Sequence, residues 1–287
     1  MTSWISEYKY SWLEKIAINV IKCGNIPNHI AIIMDGNRRF ARSNNIEKID
    51  GHTKGFDKLA ECLKWSLDIG IKEVTAFAFS IENFKRSDKE IEDLMTLATY
   101  KFEEFLQEND KLKENGVRLR VIGDLSLLPP KLQVVVSKAV LETEENDKLF
   151  LNIAFAYTFR NELISTVQKI IENNDSHTCE INEELIGSCL QLQSTPDLLL
   201  RTSGENRLSD FLMWQLSSST LYFTNILWPQ VNIWNFLAGI LHYQLITSNS
   251  SDMRPNLKVP LSQNSQHMLA TINAAKKKDL ILMSQNG

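Results

Sequence analysis

Asp35 ends an apolar run, HIAIIM (29–34), and is followed at once by Gly36, Asn37, Arg38 and Arg39 in the segment IIMDGNRRFAR (32–42). An acid at the carboxyl end of a buried strand can hold a hard cation. A glycine lets backbone amides approach an anion, and two guanidiniums grip phosphate oxygens. Together they form a cradle for a diphosphate and Mg²⁺. Alone, an Asp-Gly pair after a strand is more often a polar turn; the arginine pair, and His52 in GHTKG (51–55), move the reading toward chemistry. Two further loops repeat the pattern. SIENFKR (80–86) offers Asn83 and Arg86, against the plainer reading of a connecting loop capped by Ser87. RTSGENRLSDFLMWQ (201–215) offers Arg201, Arg207 and Ser209 ahead of an apolar helix, which suits a second phosphorylated ligand. Taken alone, that set reads equally well as a surface salt-bridge cluster.

Elements of two periods must position these loops. Short runs rich in Ile, Val and Phe occur at 29–34, 73–79, 117–123, 149–157, 197–201 and 221–227. Helix-period segments lie between them, such as Phe56, Leu59, Ala60, Leu63 and Leu67, then Ile91, Leu94, Met95, Phe102 and Phe105. Ser87 followed by Glu90 predicts a capping box at the start of the second. Strands apolar throughout and alternating with helices predict an α/β domain with a mostly parallel central sheet flanked by helices. In such sheets ligands sit beyond the carboxyl ends of the strands, so the three loops belong to one edge. Three parts follow: an N-terminal amphipathic helix within 1–24, a catalytic domain over 25–247, and a polar linker with a last helix (267–283) within 248–287. In the first, Trp4, Tyr8, Trp12 and Ile16 form a helical stripe that predicts either packing on the domain or contact with a membrane surface. The stripe on the second helical segment, including Phe102, Phe105 and Leu106, fits either a core or the wall of an apolar tunnel.

Composition narrows the function. Among 287 residues, 43% are hydrophobic, enough for one substantial core. Lys and Arg number 31 against 35 Asp and Glu, for a net charge of −4. That balance gives no global case for nucleic acid, so any anion site is local. The four cysteines show neither metal-ligand spacing nor a disulfide framework. No apolar run reaches the ~18 residues that span a bilayer, and the N-terminus lacks a compact secretory core. No Walker P-loop, GxGxxG or HExxH pattern is present.

DGNRRFA, SIENFKR, AFAYTFRNEL (154–163), RTSGENRLSDFLMWQ and LYFTNILWP, in this order across residues 25–245, resemble the signature regions of the cis-prenyltransferases, the undecaprenyl diphosphate synthase-like enzymes. The opening SWISEYKYSWLEK and the SIENFKR loop look closest to the catalytic subunits of the eukaryotic dehydrodolichyl diphosphate synthases. The resemblance implies repeated condensation of isopentenyl diphosphate onto farnesyl diphosphate, giving a polyprenyl diphosphate for dolichol synthesis and protein glycosylation. It makes Asp35 the Mg²⁺ ligand and, with Asn83, catalytic. Gly36, Arg38, Arg39, His52 and Arg86 then bind the allylic diphosphate, and Arg201, Arg207 and Ser209 bind isopentenyl diphosphate. It further implies a peripheral enzyme at the cytosolic face of the endoplasmic reticulum membrane.

The chain departs from self-sufficient bacterial relatives at two places. They carry a Glu before the LYF run, where Thr220 stands here, and an Arg-x-Gly tail, where the last arginine here is Arg254, followed by Pro255 and Asn256. Both departures imply a heteromer with a Nogo-B receptor-type subunit; the competing arrangement is a homodimer relying on Thr220 and Lys276, Lys277 and Lys278. The other functional readings are a non-catalytic scaffold subunit of the same fold and a phosphatase-like hydrolase with Asp35 as nucleophile. The Asp-rich DDxxD motif of trans-prenyltransferases is absent, and their all-helical fold conflicts with the strand runs.

Overall fold

Branched and aromatic side chains suit a pleated, buried surface, and the apolar runs form strands in the computed structural model, which describes residues 4, 8–174, 180–249 and 260–285. The strands are β1 (His29–Ile33), β2 (Glu73–Ser80), β3 (Val117–Ile122), β4 (Leu149–Tyr157), β5 (Leu198–Arg201) and β6 (Thr220–Phe223). They make one sheet, all neighbours parallel, in the order β3-β4-β2-β1-β5-β6. Ile33 stands opposite Phe77 of β2 and Arg201 of β5, so the three site-bearing loops leave the sheet at one edge.

Ten α-helices are described: α1 (Trp12–Lys22), α2 (Asn37–Ser43), α3 (Lys48–Ile69), α4 (Asp88–Gln107), α5 (Asn109–Glu114), α6 (Pro130–Glu142), α7 (Phe159–Glu172), α8 (Glu183–Cys189), α9 (Ile233–Asn249) and α10 (Gln263–Gln285). Successive strand residues face opposite ways, and β1 shows the result. Ile30 and Ile32 join the large core with α1, α3, α4, α6 and α9, whereas Ala31 and Ile33 join a smaller core with Phe211, Leu212 and Leu216. The architecture is a single α/β domain with its parallel sheet covered on both faces.

Three local expectations need correction. The first helix does not run from residue 4. It starts at Trp12, where Ser11 and Glu14 cap each other reciprocally. Trp4 lies off this helix and in the core, 3% exposed, edge-on to Phe56 and Phe105, with its indole N–H donated to the Lys101 carbonyl at 2.7 Å. At α4, Ser87 accepts from the Glu90 N–H as expected, but the Glu90 carboxylate does not return to the cap. It is taken up by three cations described below. Finally, β6 stops at Phe223, short of the apolar run, because the Thr224 and Ile226 carbonyls turn away to accept from Gly204 and Ser203.

The last helix, α10, brings Met268 and Ile272 against Ile170, Leu185 and Cys189 of α7 and α8. Lys276 donates to the Cys189 carbonyl at 3.2 Å and Lys277 pairs with Glu144 at 2.8 Å, so both are engaged away from the three loops. Arg254, Pro255 and Asn256 lie outside the described residues.

Candidate active site

Asp35 is held by its backbone before its carboxylate does anything. The Thr202 hydroxyl accepts from the Asp35 N–H at 3.1 Å and lies 2.7 Å from the Asp35 carbonyl, which also accepts from the Trp228 N–H at 3.0 Å. Gly36 makes the turn into α2 at φ +110°, where a Cβ would also press on Leu227 at 3.0 Å. The freed carboxylate accepts from the Arg201 guanidinium at 3.1 Å. Arg201, 2% exposed, donates as well to Ser209 Oγ at 2.9 Å and to the Arg207 carbonyl, while its Nε has no partner among the described residues. One buried guanidinium thereby ties the end of β1 to the loop after β5.

Glu90 of α4 collects the cations on the other side. Its carboxylate lies 3.0 Å from Lys48, 3.2 Å from Arg86 and 3.7 Å from Arg38. Burial pushes the Glu90 pKa up, but the Lys48 hydrogen bond and the charges of Arg86, Lys48 and Arg38 outweigh it and hold it below the usual value. Asn83 caps its own turn, its carboxamide oxygen accepting from the Ser80 N–H at 3.1 Å. His52 is kept neutral: burial first, then Arg86 and Arg38, lower its pKa to about 4 against the pull of Glu90. Its Nε2 and the Oδ1 of Asn37 are buried and lack partners among the described residues.

The loop after β5 bends sharply. Ser203, Ser209, Asp210 and Leu212 all have positive φ (78°, 53°, 58° and 46°), a conformation that costs side-chain-bearing residues energy and concentrates at functional sites. Its anchors repay that cost. Phe211 stacks on Phe77 at 4.5 Å, and the Asp210 carbonyl accepts from Phe159 N–H at 2.8 Å at the end of β4. Arg39 donates to the Ser203 carbonyl at 2.8 Å and to its hydroxyl. Arg39 and Arg207 both pair with Glu205.

All ten residues singled out in the sequence line one cleft of about 650 Å³: Asp35, Gly36, Arg38, Arg39, His52, Asn83, Arg86, Arg201, Arg207 and Ser209. The loops after β1, β2 and β5 thus open onto one continuous cleft, with Arg201 of β5 reaching Asp35 at the end of β1. The cleft adjoins an apolar cavity of about 110 Å³ between the sheet and helices α3 and α4. Met34, Asn37, His52, Ala78, Phe79 and Leu94 line both spaces. Trp4, Phe56 and Phe102 line the cavity from the core side, and Phe105 and Leu106 pack in the same core without lining it.

Sequence reasoning missed Arg160, which lines the cleft beyond β4. The strand-end logic applied to the other three loops would have found it in AFAYTFR. It also missed Glu90 and Glu205, acids that a search for anion ligands passes over. Thr220 opens β6. It pairs with Leu198, three residues before Arg201 on β5 and so ~10 Å down the sheet. A carboxylate at that position would not reach this chain's own Asp35.

The chain is similar to known prenyl diphosphate synthases over most of its length. The family described as putative undecaprenyl diphosphate synthase matches residues 33–249. The human dehydrodolichyl diphosphate synthase complex subunit DHDDS is 48% identical over 248 residues, covering 85% of this chain and 74% of the human one. The corresponding Schizosaccharomyces pombe complex subunit is 44% identical, with 81% and 90% covered, and a Bacillus cereus isoprenyl transferase is 39% identical, with 79% and 89% covered. Among solved structures, lavandulyl diphosphate synthase from Lavandula x intermedia, in complex with dimethylallyl diphosphate, superposes with a TM-score of 0.72 at 30% identity, covering 76% of this chain and 95% of that one. A probable undecaprenyl diphosphate synthase from Campylobacter jejuni gives 0.65 at 31% identity, covering 79% and 97%. Fold and the extent of these matches agree, and the chain belongs to the undecaprenyl diphosphate synthase-like prenyltransferases, the cis-prenyltransferase family.

Proposed function

We propose that this chain is the catalytic subunit of a cis-prenyltransferase that condenses isopentenyl diphosphate repeatedly with farnesyl diphosphate to give a dehydrodolichyl-type diphosphate. The observation that carries this reading is the junction of an arginine-lined cleft with an apolar cavity, which matches a substrate with a diphosphate head and a hydrocarbon tail. Arg38, Arg39 and Arg86 take the allylic diphosphate, with His52 and Asn83 beside them. Arg207 and Ser209 take isopentenyl diphosphate, and the buried Arg201 orients Asp35 and Ser209. Ionisation of the primer expels diphosphate, and guanidiniums already in place favour the charge as it develops. The homoallylic alkene attacks the cation and loss of a proton closes the new double bond, the hydrocarbon moving toward Trp4, Phe56 and Phe102.

Mg²⁺ fits this donor set. Among the described residues no group of three or more His, Cys, Asp or Glu gathers, and Mg²⁺ characteristically takes one or two carboxylates with waters and substrate phosphates instead of an all-protein cage. Asp35 would hold it, released from Arg201 by the incoming diphosphate. The ion supplies charge stabilisation for the leaving group.

A heteromer with a Nogo-B receptor-type subunit is supported by the relatives named as complex subunits and by the outer face of α7, where Ile164, Val167 and Ile171 are exposed at helical spacing. Peripheral contact with the cytosolic face of the endoplasmic reticulum membrane is supported by α1, whose Trp12, Leu13, Ile16 and Val20 face outward beside Lys9, Lys15 and Lys22. Among the described residues no helix is long and apolar enough to cross a membrane. Incubation with farnesyl diphosphate, isopentenyl diphosphate and Mg²⁺, with and without the partner, followed by product sizing, tests the proposal. A ladder of polyprenyl products is expected; primer hydrolysis without elongation would replace the reading by a hydrolase.

A further inference from the structure

Two cleft arginines from different loops converge on one acid that is not itself a cleft-lining residue. Arg39 lies in the first turn of α2 and Arg207 follows β5, and both line the cleft. Glu205 Oε1 lies 3.7 Å from Arg39 and its Oε2 pairs closely with Arg207. Like charges brought this close repel, and a carboxylate behind them permits the approach. The turn carrying Glu205 is rigidly placed: the Ser203 N–H donates to the Ile226 carbonyl at 2.8 Å and the Gly204 N–H to the Thr224 carbonyl at 2.8 Å. Gly204 adopts φ +77°, and a Cβ there would meet the Asn225 side chain at 2.8 Å. Arg39 is further fixed by the Ser203 carbonyl.

We propose that Glu205 is a positioning residue that couples Arg39 to Arg207, so that a diphosphate gripped by one guanidinium alters the orientation and charge of the other. The inference rests on the reading of the cleft as a diphosphate site. It gives the two substrate positions a direct communication: a diphosphate drawing Arg39 forward weakens its hold on Glu205 and leaves that carboxylate to Arg207 alone. A carboxylate acting instead as an occupant competing with substrate would predict the opposite sign on removal.

Inorganic diphosphate, titrated calorimetrically into the full chain, provides a probe that needs no turnover. Glu205→Gln is expected to weaken its binding about tenfold, the scale of one charge-assisted hydrogen bond, with Glu205→Asp recovering part of the loss and the thermal midpoint preserved. In the parent chain, Arg39→Ala and Arg207→Ala should combine non-additively; in the Glu205→Gln background they should become additive. Tighter binding by Glu205→Gln, or unchanged non-additivity in its background, would overturn the coupling. If the unaltered chain does not bind diphosphate, the cleft assignment fails instead, which separates the two ideas.

Discussion

His52 sits where the cleft meets the apolar cavity, and burial beside two arginines gives it a consequence that can be measured without substrate. Its pKa is about 4 in the folded chain against an ordinary 6.5. As pH falls, the unfolded chain therefore takes up this proton first. The contribution of neutral His52 is complete above about 6.5 and is lost progressively toward 4. The stability advantage of the unaltered protein over His52→Gln is expected to shrink by ~3 kcal/mol across that window, read from urea midpoints at several pH values; a difference independent of pH would count against the burial argument. Most of the cleft was legible at this scale because its residues follow directly on apolar runs, and strand ends place loops. Glu90 and Glu205 were not, because an acid serving arginines looks in sequence like a cap or a solvated charge. Trp4 was not, because only tertiary docking distinguishes a core indole from one on a helix face.

Helix α2 can carry Asn37, Arg38 and Arg39 into the cleft only because α3 lets it approach. A Cβ on Gly51 would lie 2.5 Å from the Asn37 carbonyl, and one on Gly55 would lie 2.4 Å from the Asn37 side chain. Gly51→Ala is expected to push α2 outward, costing ~1–3 kcal/mol of stability and reducing turnover more than the stability loss alone explains. Parallel thermal melts and initial rates would reveal it, and an unchanged rate would show that the contact does not position the arginines. The GHTKG segment thus combines a cleft residue, His52, with two glycines that are steric necessities, a distinction invisible in sequence. At α1 the signal was present but overruled: Ser11 and Glu14 spell a capping box at Trp12, while the four-residue spacing drew Trp4 and Tyr8 into one stripe. The exposed face is consequently Trp12, Leu13, Ile16 and Val20. Replacing Trp12 and Ile16 by Ser should reduce liposome flotation severalfold, each buried side chain contributing on the order of 1.5–3 kcal/mol. Unchanged partition would confine α1 to its packing against α9.

At the scale of the molecule, six parallel strands present four loops at one edge, and this arrangement was the most legible feature of all. Continuous apolar strands separated by helix-period segments leave few alternatives to a covered parallel sheet. Assembly was far less legible, since an exposed apolar helix face such as that of α7 does not say what, if anything, packs on it. The heteromer reading expects low specific activity from the chain alone and a rise on co-purification with the partner, with Val167→Lys lowering that rise; full activity of the isolated chain would contradict it. The chemistry at this sheet edge turns on Asp35. Its backbone is fixed independently of its carboxylate by Thr202 and Trp228, so Asp35→Ala should remain folded. Elongation of farnesyl diphosphate by labelled isopentenyl diphosphate, measured in the assembled enzyme with Mg²⁺, is expected to fall by about 10²–10³-fold in this variant. Near-normal Mg²⁺-dependent elongation by a folded Asp35→Ala protein would contradict the account.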